Sequence, residues 1–523
     1  MLILIPILLL LAAPLAMFAV RLARPNFLYH WLIAFGGALA AWPVVMLAQF
    51  RLPQTFELFA WNSATLFSSS PVLLLDRLSW PYAAALATLV FAVILTDVAR
   101  APEADWSTWS GALGLGALGL LAVFAANPLT LLLAWTAIDF VELGLLINQV
   151  MPNAIRSQVV LAFSARLIGS LVLIAAIVVA RASGIALTFT TIPATSALLL
   201  LLSAGLRLGV LPVHLPFLQE LPARRGLGTM SRLVPAAASL VLLARIAEAV
   251  AASGQQFPFA PYLLILSGLA AFYSGIFWFT AANELEGRPA WVLGLSSLSL
   301  AATVRAQPDA SLSWGIAAVL SGGLLFLSSA RDRRISWITL LGLFGISTLP
   351  FSPTWRGGLL FSASFQPFLL LFFLALVLFL MGYARHALRP GESLEGLERW
   401  VWLIYPLGLI LLPITHFLIG LWTVPSLKSV PPAGWFMGLL ACIFALLGMY
   451  WMFRNPGSRL AALSLVESVF SLRWFYQGLS VLLDAFEQLL DFLTAVLEGD
   501  GGVLWGILLL ALLLTLFFKS AGG

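Results

Sequence analysis

The chain has 523 residues, of which 61% are hydrophobic and only 9% charged. A soluble globular domain is closer to half apolar with about a quarter of its residues charged, so that class is excluded. The formal charge of +5 comes from dispersed arginines, which argues against a nucleic-acid-binding surface. Of the 27 basic residues, only Lys428 and Lys519 are lysine.

Apolar runs of about 20 residues, the length that crosses a hydrocarbon core as a helix, recur along the whole chain. They predict an all-α polytopic membrane protein of 14–16 spans. The best count is 16, near 2–20, 31–49, 80–98, 109–126, 128–149, 157–180, 195–213, 227–248, 262–280, 289–305, 311–329, 335–352, 366–384, 401–423, 434–453 and 503–519. The first run lacks a charged leader and a small-residue cleavage site, so it reads as a span rather than a signal peptide. With the N-terminus outside, fifteen arginines fall in inner loops and seven basic residues in outer ones, as the positive-inside rule requires. This places the chain in the plasma (inner) membrane as a multi-pass protein.

The organisation expected is N-terminal helices over 1–108, a core over 109–384, further helices over 385–460, and a C-terminal unit over 461–523. In that last unit, Val466–Leu497 carries a 3.6-residue apolar stripe. It predicts an interfacial helix about 48 Å long before the final span. Its polar face holds Asp484, Glu487 and Asp491 rather than the basic residues of lipid-binding helices, which favours contact with protein. An amphipathic linker is the plainer alternative.

Function classes narrow further. Cys442 is the single cysteine and the four histidines are scattered, so no disulfide framework, zinc site or iron–sulfur cluster is expected. Gly114, Gly116 and Gly119 fit GxGxxG, but inside a span and without a βαβ unit they point to close helix packing. No cofactor site and no redox catalytic residue is visible, so no catalysis by this chain alone is expected.

Six charges lie within apolar runs: Asp139, Glu142, Arg166, Arg207, Arg232 and Arg356. Each costs about 2.5–3.5 kcal/mol at a helix centre and needs a partner or water. Asp139 and Glu142, three apart, share a helix face. Two readings stand for these charges: fixed ion pairs between helices, or a polar track for ions. Pro212 and Pro216 follow Arg207, and Pro350 and Pro353 precede Arg356. Proline within a span frees backbone groups, which is tolerated where protein or a cavity covers them. The two breaks, about 140 residues apart, suggest a repeat built on discontinuous helices; loop-end prolines are the alternative.

Over roughly 70–360 the chain resembles the antiporter-like membrane subunits shared by respiratory complex I, membrane-bound hydrogenases and Mrp-type cation/proton antiporters. The matches are Asp76-Arg77-Leu78-Ser79, the run Asn127 to Trp135, Leu206 to His214, Gly323 to Leu327 and Ser347 to Trp355. The resemblance implies two inverted five-helix repeats over helices 4 to 13, with helices 7 and 12 broken. It also implies a membrane-arm subunit taking part in proton or sodium translocation coupled to electron transfer elsewhere, with other membrane subunits as partners. A cation/proton antiporter subunit and a non-conducting docking homologue are the alternatives.

On the resemblance, Asp139 and Glu142 pair with Arg207, Arg232 joins a central polar axis, and His214 is the titratable group at the helix 7 break. For His214, a polar side chain satisfied near the interface is the alternative. Arg356 stands near the family's helix 12 lysine. Thr136 occupies the family's helix 5 Glu position, and Gly322 that of its helix 11 lysine. Arginine stays protonated in proteins, so these arginines can order water or switch partners but cannot relay protons. Changing Asp484, Glu487 and Asp491 together is expected to release a partner subunit on purification in mild detergent. An unchanged complex would leave the linker reading.

Overall fold

The computed structural model describes residues 2–454, other than 60–69, 101–105, 150–152, 185, 214–223, 255, 331–334, 363–365, 393, 395 and 424–429, together with residue 488. The chain divides into units at 1–463 and 464–523, and the description below concerns the first. The interfacial helix and final span expected after 461 lie outside the described residues, residue 488 apart, as does His214.

Fifteen α-helices follow one another among the described residues. They are α1 (Leu4–Ala23), α2 (His30–Leu47), α3 (Ser79–Thr96), α4 (Trp106–Val123), α5 (Pro128–Gln149), α6 (Asn153–Ala182), α7 (Ala194–Arg207), α8 (Arg225–Ser253), α9 (Ala260–Thr280), α10 (Arg288–Val304), α11 (Pro308–Leu327), α12 (Ser336–Gly345), α13 (Leu369–Ala387), α14 (Val401–Thr423) and α15 (Pro432–Arg454). Each falls on one of the first fifteen apolar runs. Twelve of them are long and apolar enough to cross a membrane, and the chain is a multi-pass helical membrane protein. Helices dominate because no water in the hydrocarbon core can satisfy an open backbone.

α7 and α12 stop short of their apolar runs, at Arg207 and Gly345. Pro212 has no N–H for a helical bond to Leu208 and disfavours helix at Leu211, while Gly209 already takes a left-handed φ of 76°. After α12, Thr348 and Phe351 also have positive φ, at 54° and 66°, around Pro350.

The polar stretch between α2 and α3 contains the small sheet of the fold. β1 (Gln54–Glu57) pairs antiparallel with β2 (Val72–Leu75), Gln54 opposite Leu75 and Glu57 opposite Val72. β2 continues onto the α4–α5 turn through Leu74 N–H to Phe124 O, 2.6 Å, and Ala126 N–H to Val72 O, 3.0 Å. Asp76 then caps α3: its Oδ1 accepts from Ser79 N–H at 2.8 Å, and Ser79 Oγ accepts from Asp76 N–H at 2.9 Å. That reciprocal capping box accounts for an Asp and a Ser three residues apart. Arg245 of α8 adds an ion pair to Asp76 Oδ2 at 2.9 Å.

α3 and α10 are buried along their whole length, α11 is buried from Ala310 onward, and α8 is mostly buried. α1, α2 and α15 present Leu, Phe and Trp outward, as lipid-facing helices do. Inside lipid the gain from helix contact is close packing, and small residues allow it. A Cβ on Gly116 would lie 2.4 Å from Val90 Cγ2 of α3, and one on Gly119 2.7 Å from Val234 Cγ1 of α8, whereas one on Gly114 would meet nothing within 4 Å. Gly116→Ala is therefore expected to destabilise the purified protein by about 1–3 kcal/mol, since β-branched Val90 cannot easily yield. Gly114→Ala is expected to stay within about 0.5 kcal/mol of the parent. Thermal unfolding in detergent checks both.

Candidate ion-pair site

Three consecutive helices bring four of the buried charges together. α5 supplies Asp139 and Glu142 from one face, α6 supplies Arg166 from its middle, and α7 supplies Arg207 as its last residue. All four are at least nine-tenths buried. Arg207 grips Asp139 with both ends of its fork, Nη1 to Oδ2 at 2.8 Å and Nη2 to Oδ1 at 2.9 Å. Its Nη1 also donates to Ser170 Oγ at 3.0 Å and to Arg166 O at 3.1 Å. Arg166 donates from Nη1 to Glu142 Oε2 at 2.7 Å, and its Nε lies 3.3 Å from Asp139 Oδ1.

Asp139 thus meets Arg207, but Glu142 does not: its partner is Arg166. Glu142, one helical turn further along α5, meets the α6 guanidinium instead. Asp139 is the shared member, bridging both guanidiniums.

Neighbouring residues fit this arrangement. Trp135, one turn before Asp139, places its ring 4.3 Å from the Arg207 guanidinium carbon, a cation–π contact strengthened by desolvation. Gly169 lets the Arg207 stem cross α6, since a Cβ there would lie 2.5 Å from Arg207 Cγ. Ser203 Oγ donates to Gly169 O at 2.7 Å and fixes the same crossing. Thr136 takes no part, because its hydroxyl donates to Leu132 O of its own helix at 2.7 Å.

Arg232 of α8 reaches the same region. With Arg166, Arg207, Ser231 and Pro235 it lines a cavity of about 20 Å³, room for a single water molecule. Arg356 does not join the cluster. It stands in the 3₁₀ turn Trp355–Phe361 and pairs with Asp309, in the first turn of α11, at 2.8 Å. That turn is tied to α11 and its approach by Gln307 Nε2 to Leu359 O, 3.0 Å, and Trp314 Nε1 to Gly357 O, 3.2 Å. Arg166 stands among the six charges that the apolar runs single out, but nothing in sequence assigns it to Glu142, and Asp309 reads as an ordinary first-turn acid.

Chemically, the cluster is two carboxylates held between two guanidiniums. The guanidiniums keep their protons, so any proton that moves here moves on Asp139, Glu142 or water.

No family model and no curated protein sequence matches the chain. Solved structures do. A chain of the membrane-bound sulfane sulfur reductase (MBS), an archaeal respiratory membrane complex, is 14% identical with a TM-score of 0.71, over 98% of this chain and 100% of that one. A chain of the Mrp complex from Dietzia sp. DQ12-45-1b is 15% identical with a TM-score of 0.70, over 99% of this chain and 63% of that one. A chain of respiratory complex I from Thermus thermophilus is 16% identical with a TM-score of 0.59, over 80% and 98%. The fold is therefore one shared with membrane chains of three multi-subunit complexes, in keeping with the antiporter-like resemblance.

Removing one partner of a buried pair leaves an uncompensated charge and costs about 3–5 kcal/mol. Arg207→Leu is expected to lose that much stability. Asp139→Leu combined with Arg207→Leu is expected to lose clearly less than the two single changes added together. Unfolding of the purified protein in detergent measures this cycle, and simple additivity would show that the two residues do not interact.

Proposed function

We propose that the chain is a membrane-arm subunit of a complex I-like or hydrogenase-like assembly. In this reading it takes part in proton or sodium movement coupled to electron transfer elsewhere in the assembly. The observation that carries the proposal is the buried cluster of Asp139, Glu142, Arg166 and Arg207 at the point where α7 breaks. Ionisable groups inside a membrane are costly, and where they line a water-sized cavity beside irregular backbone they mark ion pathways. Shared fold with chains of MBS, Mrp and complex I structures supports the same reading.

The mechanism follows from the pairing. Asp139 is held by two cations and Glu142 by one. If Arg166 swings from Glu142 fully onto Asp139, Glu142 loses its counter-charge and takes up a proton; the return swing expels it. Arg232, lining the same cavity, holds water in place for that exchange. Helices α4–α8 and α9–α13 form the two inverted repeats, each with its fourth helix shortened, α7 to 14 residues and α12 to 10. The N-terminus lies outside the plasma membrane, and neighbouring membrane subunits complete the pathway.

A second reading is favoured by the bidentate, fully buried Arg207–Asp139 pair: a subunit in which the cluster is a permanent latch and ions do not move. The parent assembly, hydrogenase-like, quinone-reductase-like or a cation/proton antiporter, is identified by what co-purifies in mild detergent.

Glu142→Gln and Asp139→Asn keep hydrogen-bond acceptors for both arginines while removing the charge. In the reconstituted complex each is expected to lower ion movement by about tenfold or more, with assembly unchanged. Unchanged flux in both single variants and in the double variant would select the latch.

A further inference from the structure

From α9 onward, charge among the described residues of the α-helices is confined to helix ends. Among the described residues of α9–α15, Arg288, Asp309, Arg385 and Arg454 all lie in a first or last turn. His416 is different. It stands 15 residues into α14 and seven from its end, so about 22 Å and 10 Å along the helix from either terminus.

The ring is 3% exposed. Nδ1 lies 3.3 Å from Ser321 Oγ of α11, and Nε2 has no hydrogen-bond partner. The end of α12 rests on the same pair, since a Cβ on Gly345 would lie 2.7 Å from Ser321 Oγ and 3.0 Å from His416 Nδ1. Only a glycine lets the broken helix come this close. Behind Ser321, the Tyr383 hydroxyl of α13 donates to its carbonyl at 3.1 Å. On the other side of α14, Thr415 shares a 3.2 Å hydrogen bond with Thr88 of α3, which accepts from Trp42 Nε1–H at 2.9 Å. Polar groups of α3, α11 and α13 therefore cluster in the apolar core around this stretch of α14.

No charged residue of the packed helices faces the ring. Asp97 follows the end of α3, nine residues from Thr88, and Asp309 begins α11, twelve residues from Ser321, about 13 and 18 Å along those helices. α12 carries no charged residue. A buried nitrogen without a protein partner carries a cost that an apolar side chain filling the same space would avoid. His416 shares this with His30 and His386 but stands deepest along its helix. The irregular backbone after Gly345 lies beside the ring, and such backbone occurs at membrane depth where protein buries it or where it lines a water-filled cavity.

We propose that His416 is a proton-carrying station facing the α12 break, a second site in addition to the α5–α6–α7 cluster. Nε2 takes a proton delivered by hydronium, forming an N–H bond and an imidazolium, and the reverse step returns a proton to water. The inference rests on the reading that this subunit moves ions.

The test compares proton uptake by vesicles holding the complex as wild type, His416→Asn, His416→Gln and Asp139→Asn. Asparagine keeps an amide for Ser321 and glutamine places one near Nε2, yet neither carries a proton. Both are expected to cut uptake by about tenfold or more, with melting temperature and co-purifying subunits unchanged. A merely structural histidine predicts that at least one amide restores uptake. Full uptake in either His416 variant, with uptake lost in Asp139→Asn, overturns the station and leaves the ion pathway standing. Loss in the His416 variants alone supports the station and removes Asp139 from the path; full uptake in all variants removes both. Should both His416 variants fail to assemble, nitrogen-15 resonance of the wild-type imidazoles decides. A buried imidazolium signal under turnover supports the station, and none overturns it.

Discussion

Two carboxylates and two guanidiniums enter this hydrocarbon core only as one another's partners, and much of the first half of the bundle is arranged around that requirement. Transfer of a lone charge into a low-dielectric interior costs far more than any helix packing returns. α5, α6 and α7 must therefore stay in register so that Asp139 remains between Arg166 and Arg207. Gly169 permits the approach and Ser203 pins it. Placing Arg207 at the very end of α7 also puts its cation at the negative end of the helix dipole.

The rest of the bundle solves a different problem with different means. α3 runs through the middle with every residue buried, and α11 is buried beyond its first two residues; their neighbours come close through glycines. In the later helices aromatic rings fill the interior: Trp278, Trp291, Phe326, Phe379 and Tyr383 pack edge to face or tilted against one another. Gly322 belongs to this packing, since a Cβ there would lie 2.3 Å from Trp291 Nε1. No long side chain fits at that position. Ser321, the residue before Gly322, turns its hydroxyl to the His416 imidazole.

How much could be read in advance depends on whether the cause is local. Asp139 and Glu142 are visible because two acids three apart in an apolar run have no other place than one helix face. The cap made by Asp76 and Ser79 is local as well. The choice of Arg166 over Arg207 as the partner of Glu142 is not, because it depends on which helix passes alongside one turn further on. Arg356 shows the same limit: its partner Asp309 is brought close by the fold of the α11 end, and nothing near either residue in the chain announces it. His416 carries no signal in sequence beyond being a lone histidine in an apolar run.

The amino-acid order by itself determined the class of protein and the positions of its helices. Hydrocarbon thickness and the need to satisfy each backbone group within its own segment act on about 20 residues at a time. It also marked the two short helices, α7 and α12, by the prolines that follow them, although Pro235, Pro406 and Pro413 stand inside unbroken helices. The tertiary structure alone decided which charges share a partner, that α7 ends on its arginine against α6, and that the end of α12 rests on a histidine two helices away. Those are matters of distances between helices remote in the chain, and only packing sets them.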